Sequence, residues 1–478
     1  AKLYGLPKVH KGVPMRPVLS MIRTSQYNIA KYLDKKIKSF IPNDFICKDS
    51  FEFVNSIANF EIRTENDFMV SFDVSSLFTN VPLQETIELC CELWRKNNLD
   101  NSDLDEVAFR KLLTFATSNV HFLFNGEWYK QIDGVAMGSP LAPTLASIFL
   151  SSIEEKIELF LGKKPLLYKR YVDDIFLVFE SREHVFPFLD YMNSIHPNII
   201  FTVEQEINGK LPFLDLLIER KNDHYETEIY RKKTDTGLYT SINSFCEFKY
   251  KRNMIKGLLY RSWSLSSTFS KSIKSIDTLS KLLNNNGYSK SIIDRLTRET
   301  VDKIIEKEKI NNEQINSLNI ENCFTPGYTL SLPYSEGFKH LKNSILKSTN
   351  NILNLKIISQ SFKVENMFCN KSHTPLGLCS DIVYQYTCNG CNATYIGETA
   401  RHLCKRVQEH SQKGGKSNIA EHKKTCKCNM SINDFKILCK HFKNYWERVS
   451  CEALLIRSCD PKINVQTALS TNLLRVFD

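Results

Sequence analysis

Two apolar segments of strand length carry carboxylates that a buried strand does not normally tolerate. The first is "FMVSFDVSSLF" at 68–78, with Asp73, and the second is "LLYKRYVDDIFLVF" at 166–179, with Asp173 and Asp174. Both segments are rich in β-branched and aromatic residues, which favours strands. We expect a hairpin whose turn contains Asp173, so that this residue converges with Asp73 from a neighbouring strand.

Carboxylates that share a site repel each other, and a cation relieves that repulsion. Two divalent ions about 3.5 to 4 Å apart also clamp the attacking and leaving oxygens of a phosphoryl transfer, and Mg²⁺ is the ion that suits such oxygen ligands. The alternative is an ordinary hairpin turn, because Asp is common in turns. Between the two segments, "DGVAMGSPLAPTLASIFLSSIEEKIE" at 133–158 predicts a glycine-bearing loop before a helix. Gly138 in this loop would let the backbone approach a nucleotide closely.

The length and the net charge of the chain limit the classes of protein to which it can belong. The 478 residues predict about two to four domains, at roughly 100 to 200 residues each. No apolar run approaches the roughly 18 residues that a membrane-spanning helix needs. The formal charge of +10 is consistent with a polyanionic partner, although an ordinary basic surface gives the same excess. The N-terminal residues contain neither a signal-peptide core nor an initiator methionine, so we expect a fragment that begins inside a folded domain.

The segments "SFDVSSLF", "GVAMGSPLAP" and "YVDD" resemble, in order and spacing, the palm motifs of reverse transcriptases. The resemblance implies that Asp73 and Asp173 ligate two Mg²⁺ ions and that Asp174 supports them. It also implies that Arg16, in "YGLPKVHKGVPMRPVLS", contacts the incoming triphosphate. Phe78 matches an aromatic gate that selects deoxynucleotides, and a core aromatic is the alternative reading of this residue.

Four further segments narrow the resemblance to the Penelope-like retroelements, whose polymerase is similar to that of telomerase. They are "LPKVHK", "SFDVSSLFTNVPL", "LPFLDLLIERK" and "YRKKTDTGLYTSINSFCEFKYKRNMIKGLLYRSWSLSS". The segment "GKLPFLDLLI" resembles the palm strand that follows the catalytic hairpin. The thumb that comes next has basic and aromatic residues suited to gripping a duplex through its phosphates, although solvated helix faces explain them equally: Lys249, Tyr250, Lys251, Arg252, Arg261 and Trp263.

The last hundred residues predict a separate module. "DIVYQY" and "ATYIGET" are typical of two strands, and "ARHLCKRVQEH" of a helix with Arg406 and His410 on one face. "YWERVSCEALLIRSCDPKIN" predicts a helix that contains Glu452. A tyrosine, an arginine and one carboxylate form a plausible set for cleaving a phosphodiester, with Arg stabilising negative charge, Glu holding one divalent ion, and tyrosine relaying a proton if its pKa is lowered.

This module resembles the GIY-YIG endonuclease domain that Penelope-like elements carry after their polymerase. The resemblance implies that Tyr384 and Tyr395 are the motif tyrosines, Arg406 the helix arginine, Glu452 the Mg²⁺ ligand and Asn464 the late asparagine. Two departures stand out. The first motif reads "IVY" instead of Gly-Ile-Tyr, and the arginine lies one residue further from the second tyrosine than in many relatives.

Cysteine is concentrated in the same module, and without a secretory signal this favours metal ligation or reduced thiols over disulfides. Cys388 and Cys391 lie between the two tyrosine strands, where a turn is expected, and a structural zinc site needs two more ligands. We favour His422 as the third ligand and Cys428 as the fourth. The alternatives are Cys426 as the fourth ligand, His410 as a ligand or a catalytic group, and plain reduced turn cysteines.

Taken together, the sequence predicts an α+β multidomain protein in which a right-hand polymerase precedes a small α/β nuclease. The expected domains are partial fingers and palm at 1–235, a helical thumb at 236–345, a linker at 346–378 and a GIY-YIG endonuclease with a zinc-binding insert at 379–478. The expected function is to nick DNA and extend the exposed 3′ end on an RNA template. Its partners would be RNA template, DNA primer, target DNA and dNTPs, and it would act in the nucleus after synthesis in the cytoplasm. The alternatives are a polymerase whose C-terminal module only binds DNA, and an inactive nucleic-acid-binding copy.

Overall fold

The computed structural model describes most of the chain, in two compact units. One unit comprises 1–122 with 129–371, and the other comprises 123–128 with 372–478. Part of the fingers motif, 8–14, lies outside the described residues. These are 1–7, 15–22, 24–42, 44–62, 66–97, 104–313 (side chains to 306), 328–348, 355–361, 374–412, 417–426, 428–440, 442 and 444–464.

The chain contains both strands and helices, as expected for an α+β protein. The strands are β1 (Lys2–Pro7), β2 (Met15–Ser20), β3 (Phe68–Val74), β4 (His121–Phe124), β5 (Glu127–Lys130), β6 (Leu167–Tyr171), β7 (Asp174–Phe179), β8 (Phe201–Gln205), β9 (Lys210–Phe213), β10 (Leu216–Arg220), β11 (Tyr225–Ile229), β12 (Tyr328–Pro333), β13 (Leu355–Gln360), β14 (Ile382–Thr387), β15 (Thr394–Thr399) and β16 (Phe435–Lys440). The helices are α1 (Ser25–Ile37), α2 (Ser50–Ala58), α3 (Leu77–Asn80), α4 (Leu83–Asn97), α5 (Glu106–Thr117), α6 (Ala142–Glu154), α7 (Val185–Ile195), α8 (Phe248–Ser264), α9 (Phe269–Asn285), α10 (Lys290–Glu313), α11 (Phe338–Ser348), α12 (Leu403–Ser411), α13 (Asn418–Cys426) and α14 (Tyr445–Cys459).

A four-stranded antiparallel sheet with the order β6-β7-β3-β8 forms the centre of the first unit. Its strand β7 is apolar along nearly its whole length because both faces of the sheet are covered. Ile175 and Leu177 point into the larger core, with helices α1 and α4 to α7, whereas Phe176 and Val178 point into a second core with α2 and β9 to β11. Alternate residues of a strand point to opposite faces, so one strand supplies both cores.

The segment predicted as a single palm strand, "GKLPFLDLLI", forms a hairpin instead. Its strands β9 and β10 are antiparallel, and the chain reverses at Leu214, whose φ is 55°. Asp215 accepts a hydrogen bond from Ser50 at 2.5 Å and forms an ion pair with Arg261 on α8. This turn therefore connects the β9–β11 sheet to the first of the three helices α8, α9 and α10, which pack around a shared apolar core.

Part of the predicted linker has regular structure. Strand β13 pairs in parallel with β12, and helix α11 lies between them in the chain. Ile357 of β13 is buried, and the Tyr250 hydroxyl donates to the Ser359 carbonyl at 2.9 Å. An alternating apolar segment, "LKIISQ", thus folds onto α8 where we expected a linker.

The second unit contains an antiparallel sheet with the order β15-β14-β16. The β14 and β15 strands occupy the positions predicted for the two tyrosine segments. The predicted arginine helix is α12, and the helix that contains Glu452 is α14. Tyr384, Tyr386 and Leu403 lie in its apolar core. Among all helices that the structure describes, none is both long and apolar enough to cross a membrane.

Candidate functional site

The three palm aspartates lie at one end of the central sheet. Asp73 on β3 and Asp174 on β7 are directly opposite each other in the antiparallel register, so their side chains share a face. The Val74 amide donates to the Asp173 carbonyl at 3.1 Å, which holds the turn against β3. Val172 makes the tight turn with a φ of 58°. The predicted hairpin is present, and its carboxylate oxygens fit the hard oxygen ligands that Mg²⁺ requires.

A buried ion pair, which our sequence reasoning missed, supports this turn. Arg170 on β6 is 1% exposed and donates to both carboxylate oxygens of Glu154 on α6, at 2.5 and 2.9 Å. It also donates to the Ser151 hydroxyl at 3.2 Å and the Val172 carbonyl at 3.4 Å. The signal in the sequence was an arginine inside an apolar strand, together with Ser147, Ser151 and Glu154 at helical spacing on an apolar helix.

The glycine loop packs against the backbone on two sides. A side chain at Gly134, whose φ is +76°, would lie 2.7 Å from the Thr79 carbonyl oxygen. A side chain at Gly138 would lie 2.0 Å from the Leu19 carbonyl oxygen on β2. These glycines let the loop lie between the Phe78 turn and β2, so Gly138 has a packing role, and its contact with a nucleotide stays a prediction.

The two other predicted nucleotide-binding residues flank this loop. Arg16 is exposed on β2, opposite Leu6 of β1. Phe78 is half-buried on α3, where it packs against the larger core, and its carbonyl accepts a hydrogen bond from the Val135 amide at 2.7 Å. Phe78 therefore contacts the core and is only partly buried, which is compatible with both readings of this residue.

Several thumb residues that we predicted to grip a duplex make contacts within the protein instead. Lys251 is buried and donates to the Ile242 carbonyl at 2.6 Å. The Arg261 guanidinium lies over the Phe51 ring, 5.4 Å from its centroid, besides its ion pair with Asp215. Trp263 packs edge-to-face with Phe269. Residues of the predicted grip thus stabilise the helices and their contact with the β9–β11 sheet.

In the second unit, the predicted tyrosine, arginine and histidine contact one another. The Tyr384 hydroxyl lies 2.8 Å from His410 Nε2 and accepts a hydrogen bond from Arg406 Nε at 3.2 Å. His410 Nδ1 lies 2.9 Å from the Ser417 hydroxyl. Arg406 and His410 reach the same phenol because they are four residues apart on α12. This geometry assigns His410 to the tyrosine cluster and not to the cysteines.

Gly397 makes room for the two motif tyrosines. It is the register partner of Tyr384, and a side chain there would lie 2.9 Å from the Tyr384 hydroxyl and 2.6 Å from the Tyr395 ring. Burial raises the pKa of both phenols, and for Tyr395 the neighbouring Glu452 raises it further. The direction is opposite to the lowered pKa that proton relay by a tyrosine would need, so both tyrosines are neutral hydrogen-bonding groups near pH 7.

Glu452 is held by the strand that it faces. Its carboxylate accepts a hydrogen bond from the Glu398 amide at 3.0 Å. Burial, followed by the Glu398 charge, raises the pKa of Glu452 to about 7. Arg448, one turn earlier on α14, is 6% exposed and pairs with Glu398 at 2.5 Å and Asp381 at 2.7 Å. Sequence reasoning missed this Glu398–Arg448–Asp381 group, whose signal was an arginine four residues before Glu452.

Asn464 clamps the second tyrosine strand. Its amide donates to the Ile396 carbonyl and accepts from the Ile396 amide, both at 2.8 Å. The paired bonds mimic a neighbouring strand, and they fix β15 between Tyr395 and Gly397. The late asparagine is therefore a positioning residue for this strand.

Four of the candidate zinc ligands lie close together. The fourth of them is Cys426, where we favoured Cys428. The ligand atoms of Cys388, Cys391, His422 and Cys426 all lie within 4.8 Å of one another. Cys388 Sγ is 3.7 Å from Cys426 Sγ, and Cys391 Sγ is 3.4 Å from His422 Nε2. Tetrahedral zinc with bonds of about 2.3 Å to sulfur places its ligands about 3.8 Å apart, so the donor set fits zinc.

Cys428, the fourth ligand that we favoured, lies beside this group. Its Sγ is 3.8 Å from the Tyr386 hydroxyl, and the structure replaces it by Cys426 in the candidate set. The physical reason is helical: Cys426 follows His422 by four residues on α13, so both face the Cys388–Cys391 turn. Burial by itself would raise the pKa of Cys388, but hydrogen bonds from His422, the Gly390 and Cys391 amides and the Cys428 thiol lower it to about 5, which favours the thiolate that zinc binds.

We expect Cys426→Ser to lower the zinc content of the purified chain from about one ion to nearly none, and Cys428→Ser to leave it unchanged. Serine preserves size but removes the thiolate. Elemental analysis of the two variants and the parent measures this directly. Loss of zinc in the Cys428 variant alone would restore our original assignment.

We also expect acid to destabilise the second unit through His410. Burial, followed by the Arg406 charge, lowers the pKa of His410 to about 4. The unfolded chain binds a proton below about pH 6.5 and the folded chain does not, so the free energy of unfolding falls as the pH drops between these values. The loss at pH 5 relative to pH 7 is about 2 kcal/mol.

The measurement is thermal unfolding at both pH values for the parent, His410→Gln and His402→Gln. His402 is exposed one residue before the same helix, so its variant should keep the full pH dependence. In His410→Gln, the decrease in the free energy of unfolding between pH 7 and pH 5 should be smaller than in the parent by about 2 kcal/mol. An equal pH dependence in all three chains would assign the acid sensitivity to other groups, such as the cysteines.

Comparisons with known proteins match two segments of the chain. Residues 9–208 match the family model described as reverse transcriptase (RNA-dependent DNA polymerase), and this range contains Asp73, Gly138, Asp173 and Asp174. Residues 238–298 match the model of the animal helix-turn-helix domain, which covers α8, α9 and the beginning of α10. No curated protein matches the chain.

Solved structures show weaker similarity. A Candida albicans telomerase with a fragment of telomeric RNA has 12% identity and a TM-score of 0.40, over 66% of this chain and 69% of that chain. A Candida tropicalis telomerase truncated from its C-terminal domain has 14% identity and a TM-score of 0.34, over 46% of this chain and 53% of that chain. The BmCPV RNA-dependent RNA polymerase at elongation state has 11% identity and a TM-score of 0.37, over 59% of this chain and 26% of that chain.

The carboxylate hairpin and the glycine loop both lie within the residues that match the reverse transcriptase model. This match supports the predicted class of RNA-directed DNA polymerase for this part of the chain.

Proposed function

We propose that this chain is a Penelope-like retroelement protein that nicks DNA with its second unit and copies RNA into DNA from the exposed 3′ end. The observation that carries the proposal is the convergence of Arg406 and His410 on the Tyr384 hydroxyl in a chain that also contains a reverse transcriptase domain. A nick supplies the primer hydroxyl that a polymerase needs.

In the polymerase, the residues present divide the work of nucleotide addition. Asp73 and Asp173 would hold two Mg²⁺ ions, and such ions would supply the charge that activates a primer 3′ oxygen and stabilises a leaving pyrophosphate. Asp174 supports them from the opposite strand position. Arg16 meets the triphosphate, and the exposed part of the Phe78 ring excludes a 2′-hydroxyl. The Arg170–Glu154 pair keeps the turn in place.

In the nuclease, Glu452 would hold one Mg²⁺ ion, which acts as a Lewis acid on the phosphate. Arg406 stabilises the negative charge that develops on the phosphate oxygens, because its guanidinium donates in a fixed direction. The neutral Tyr384 hydroxyl is hydrogen-bonded to Nε2 of His410, which is uncharged at pH 7 and is hydrogen-bonded through Nδ1 to Ser417. The cluster thus orients Arg406. The zinc group holds the turn between the two tyrosine strands.

The proposed partners are an RNA template, a DNA primer strand, target DNA and dNTPs, and the proposed place of action is the nucleus. A coupled reaction tests the proposal. Supercoiled plasmid, RNA template, dNTPs and Mg²⁺ are incubated with the whole chain, and the products are separated under denaturing conditions. We expect new DNA joined covalently to a plasmid strand. Nicking and primer extension that each occur without any joined product would contradict the coupling.

The alternative in which the second unit only binds DNA makes a different prediction for the same reaction. Extension would then need an added primer, and the plasmid would stay supercoiled. The zinc group is compatible with both versions, so zinc content alone does not separate them.

A further inference from the structure

Arg448 is a buried cation to which the mechanism above gives no part. It is 6% exposed, and its guanidinium donates to the Glu398 carboxylate from Nε at 2.5 Å and to the Asp381 carboxylate from Nη1 at 2.7 Å. The Tyr445 ring lies beside it, with the ring centroid 5.8 Å from the guanidinium carbon. A cation that is withdrawn from water is stable only where its charge and its donors are satisfied, so these contacts fix the position of Arg448.

The contacts of Arg448 join three segments of the second unit. Arg448 lies on α14, Glu398 lies on β15, and Asp381 directly precedes β14. One guanidinium therefore connects the helix of the candidate Mg²⁺ ligand to both tyrosine strands. Its donors lie in one rigid plane and point in fixed directions, so it holds two carboxylates in a defined arrangement that a flexible ammonium group does not reproduce.

Glu398 contacts α14 twice. Its carboxylate pairs with Arg448, and its amide donates to the Glu452 carboxylate at 3.0 Å. Arg448 and Glu452 are four residues apart, so they lie on one face of the helix, about 6 Å apart along its axis. Two contacts to one residue of β15, which is an edge strand of its sheet, oppose sliding and rotation of α14 against that strand. The position of the Glu452 carboxylate thus depends on Arg448.

We propose that Arg448 is a positioning residue of the nuclease, which acts through Glu398 to hold the Glu452 carboxylate where a Mg²⁺ ion would bind. Arg448 itself touches neither the ion nor the DNA. Groups that orient a metal ligand typically change metal affinity by about 10 to 100-fold when they are replaced. The effect of Arg448 is therefore on the Mg²⁺ concentration that nicking requires, and not on the rate at saturating Mg²⁺. This inference rests on the proposed nuclease function.

Plasmid nicking by the whole chain over a range of Mg²⁺ concentrations tests this role. Arg448→Lys keeps the charge, but its ammonium group cannot span both carboxylates in the same geometry. We expect the Mg²⁺ concentration for half the maximal rate to rise by at least about tenfold, with a maximal rate within about threefold of that of the parent.

Two further variants complete this experiment. Asp381→Asn removes the charge of a partner that is 47% exposed and leaves Arg448 in place, so it should raise the Mg²⁺ requirement by a smaller factor. It carries the test alone if Arg448→Lys does not fold. Arg457→Lys is the matched control, because Arg457 is exposed on α14 nine residues later and so on the opposite face. It should match the parent.

Amide hydrogen exchange measures the position of Glu452 without cleavage. The Glu398 amide donates to the Glu452 carboxylate, so a displaced carboxylate leaves this amide open to exchange. Without Mg²⁺, exchange at Glu398 should be faster in Arg448→Lys than in the parent by about tenfold, and exchange in β16 should be unchanged. Faster exchange throughout the second unit would assign Arg448 to general stability and overturn the proposal. An Mg²⁺ requirement equal to that of the parent in both variants would also overturn it.

The two proposals fail separately. A parent chain that does not nick, with faster exchange confined to Glu398 in Arg448→Lys, refutes the nuclease and leaves the positioning of Glu452. A parent chain that nicks, with the same Mg²⁺ requirement in Arg448→Lys and Asp381→Asn, refutes the positioning role and leaves the nuclease.

Discussion

Asp173→Asn is expected to abolish primer extension on an RNA template, with a loss of at least about 10³-fold in rate. Asparagine keeps the size of the side chain but removes the charge that would hold Mg²⁺. The Val74 amide donates to the backbone carbonyl of Asp173, and asparagine keeps this backbone contact. The measurement is single-nucleotide addition to a labelled DNA primer annealed to RNA, with plasmid nicking scored on the same preparation.

The matched control is Asp190→Asn, which removes the same charge from an exposed position on α7. It should extend primers at the parent rate. Nicking should be unchanged in both variants, since the second unit has its own carboxylate. An Asp173 variant that retains more than about a tenth of the parent rate would remove this residue from the metal site.

Elements that depend on local pattern were predictable from the sequence. Strands β3, β7, β14 and β15 follow from apolar and aromatic segments of the right length, and the α12 helix follows from its periodicity. The positions of Arg406 and His410 on one face needed only the helical repeat. Where the chain turns within an apolar segment, prediction was harder, and "GKLPFLDLLI" divides at Leu214 because the reversal lets Asp215 reach α8.

Interactions between distant segments were not predictable in the same way. The Arg170–Glu154 pair joins a strand to a helix, and the Glu398–Arg448 pair joins β15 to α14. Each partner alone looks like an ordinary charged residue in the sequence. The choice between Cys426 and Cys428 also depended on tertiary structure, because only the placement of α13 decides which thiol faces the turn.

The pKa directions illustrate the same limit. A pKa lowered by neighbouring charge was the condition for proton relay by a motif tyrosine, but burial outweighs the Arg406 charge at Tyr384 and raises the pKa of this residue. Burial is a property of the folded unit, and no local motif encodes it. The sequence therefore supplied the members of the cluster, and the structure supplied their protonation states.

Arg406→Ala is expected to abolish plasmid nicking, with a loss of about 10² to 10³-fold, while primer extension stays at the parent rate. Among the described residues, the Arg406 guanidinium is the only charged group that donates a hydrogen bond to the Tyr384 hydroxyl. It also lies close enough to Glu452 to lower the pKa of that carboxylate, so it can stabilise the negative charge that develops on a phosphate being cleaved there. Arg406→Lys should recover only part of the rate, because an ammonium group lacks the fixed donor geometry.

Arg401→Ala is the matched control for this change. Arg401 also pairs with Glu409, at 2.6 Å, but it is 63% exposed and, among the described residues, makes no hydrogen bond with the tyrosines. Its loss therefore removes a comparable ion pair without touching the cluster. Nicking should fall less than about threefold in this variant, since an exposed ion pair contributes at most about 1 kcal/mol. If Arg401→Ala and Arg406→Ala lose nicking equally, the arginine acts through the Glu409 ion pair and the stability of α12. If neither loses it, the nick is made elsewhere in the chain, and Tyr384, Arg406 and His410 form a structural cluster.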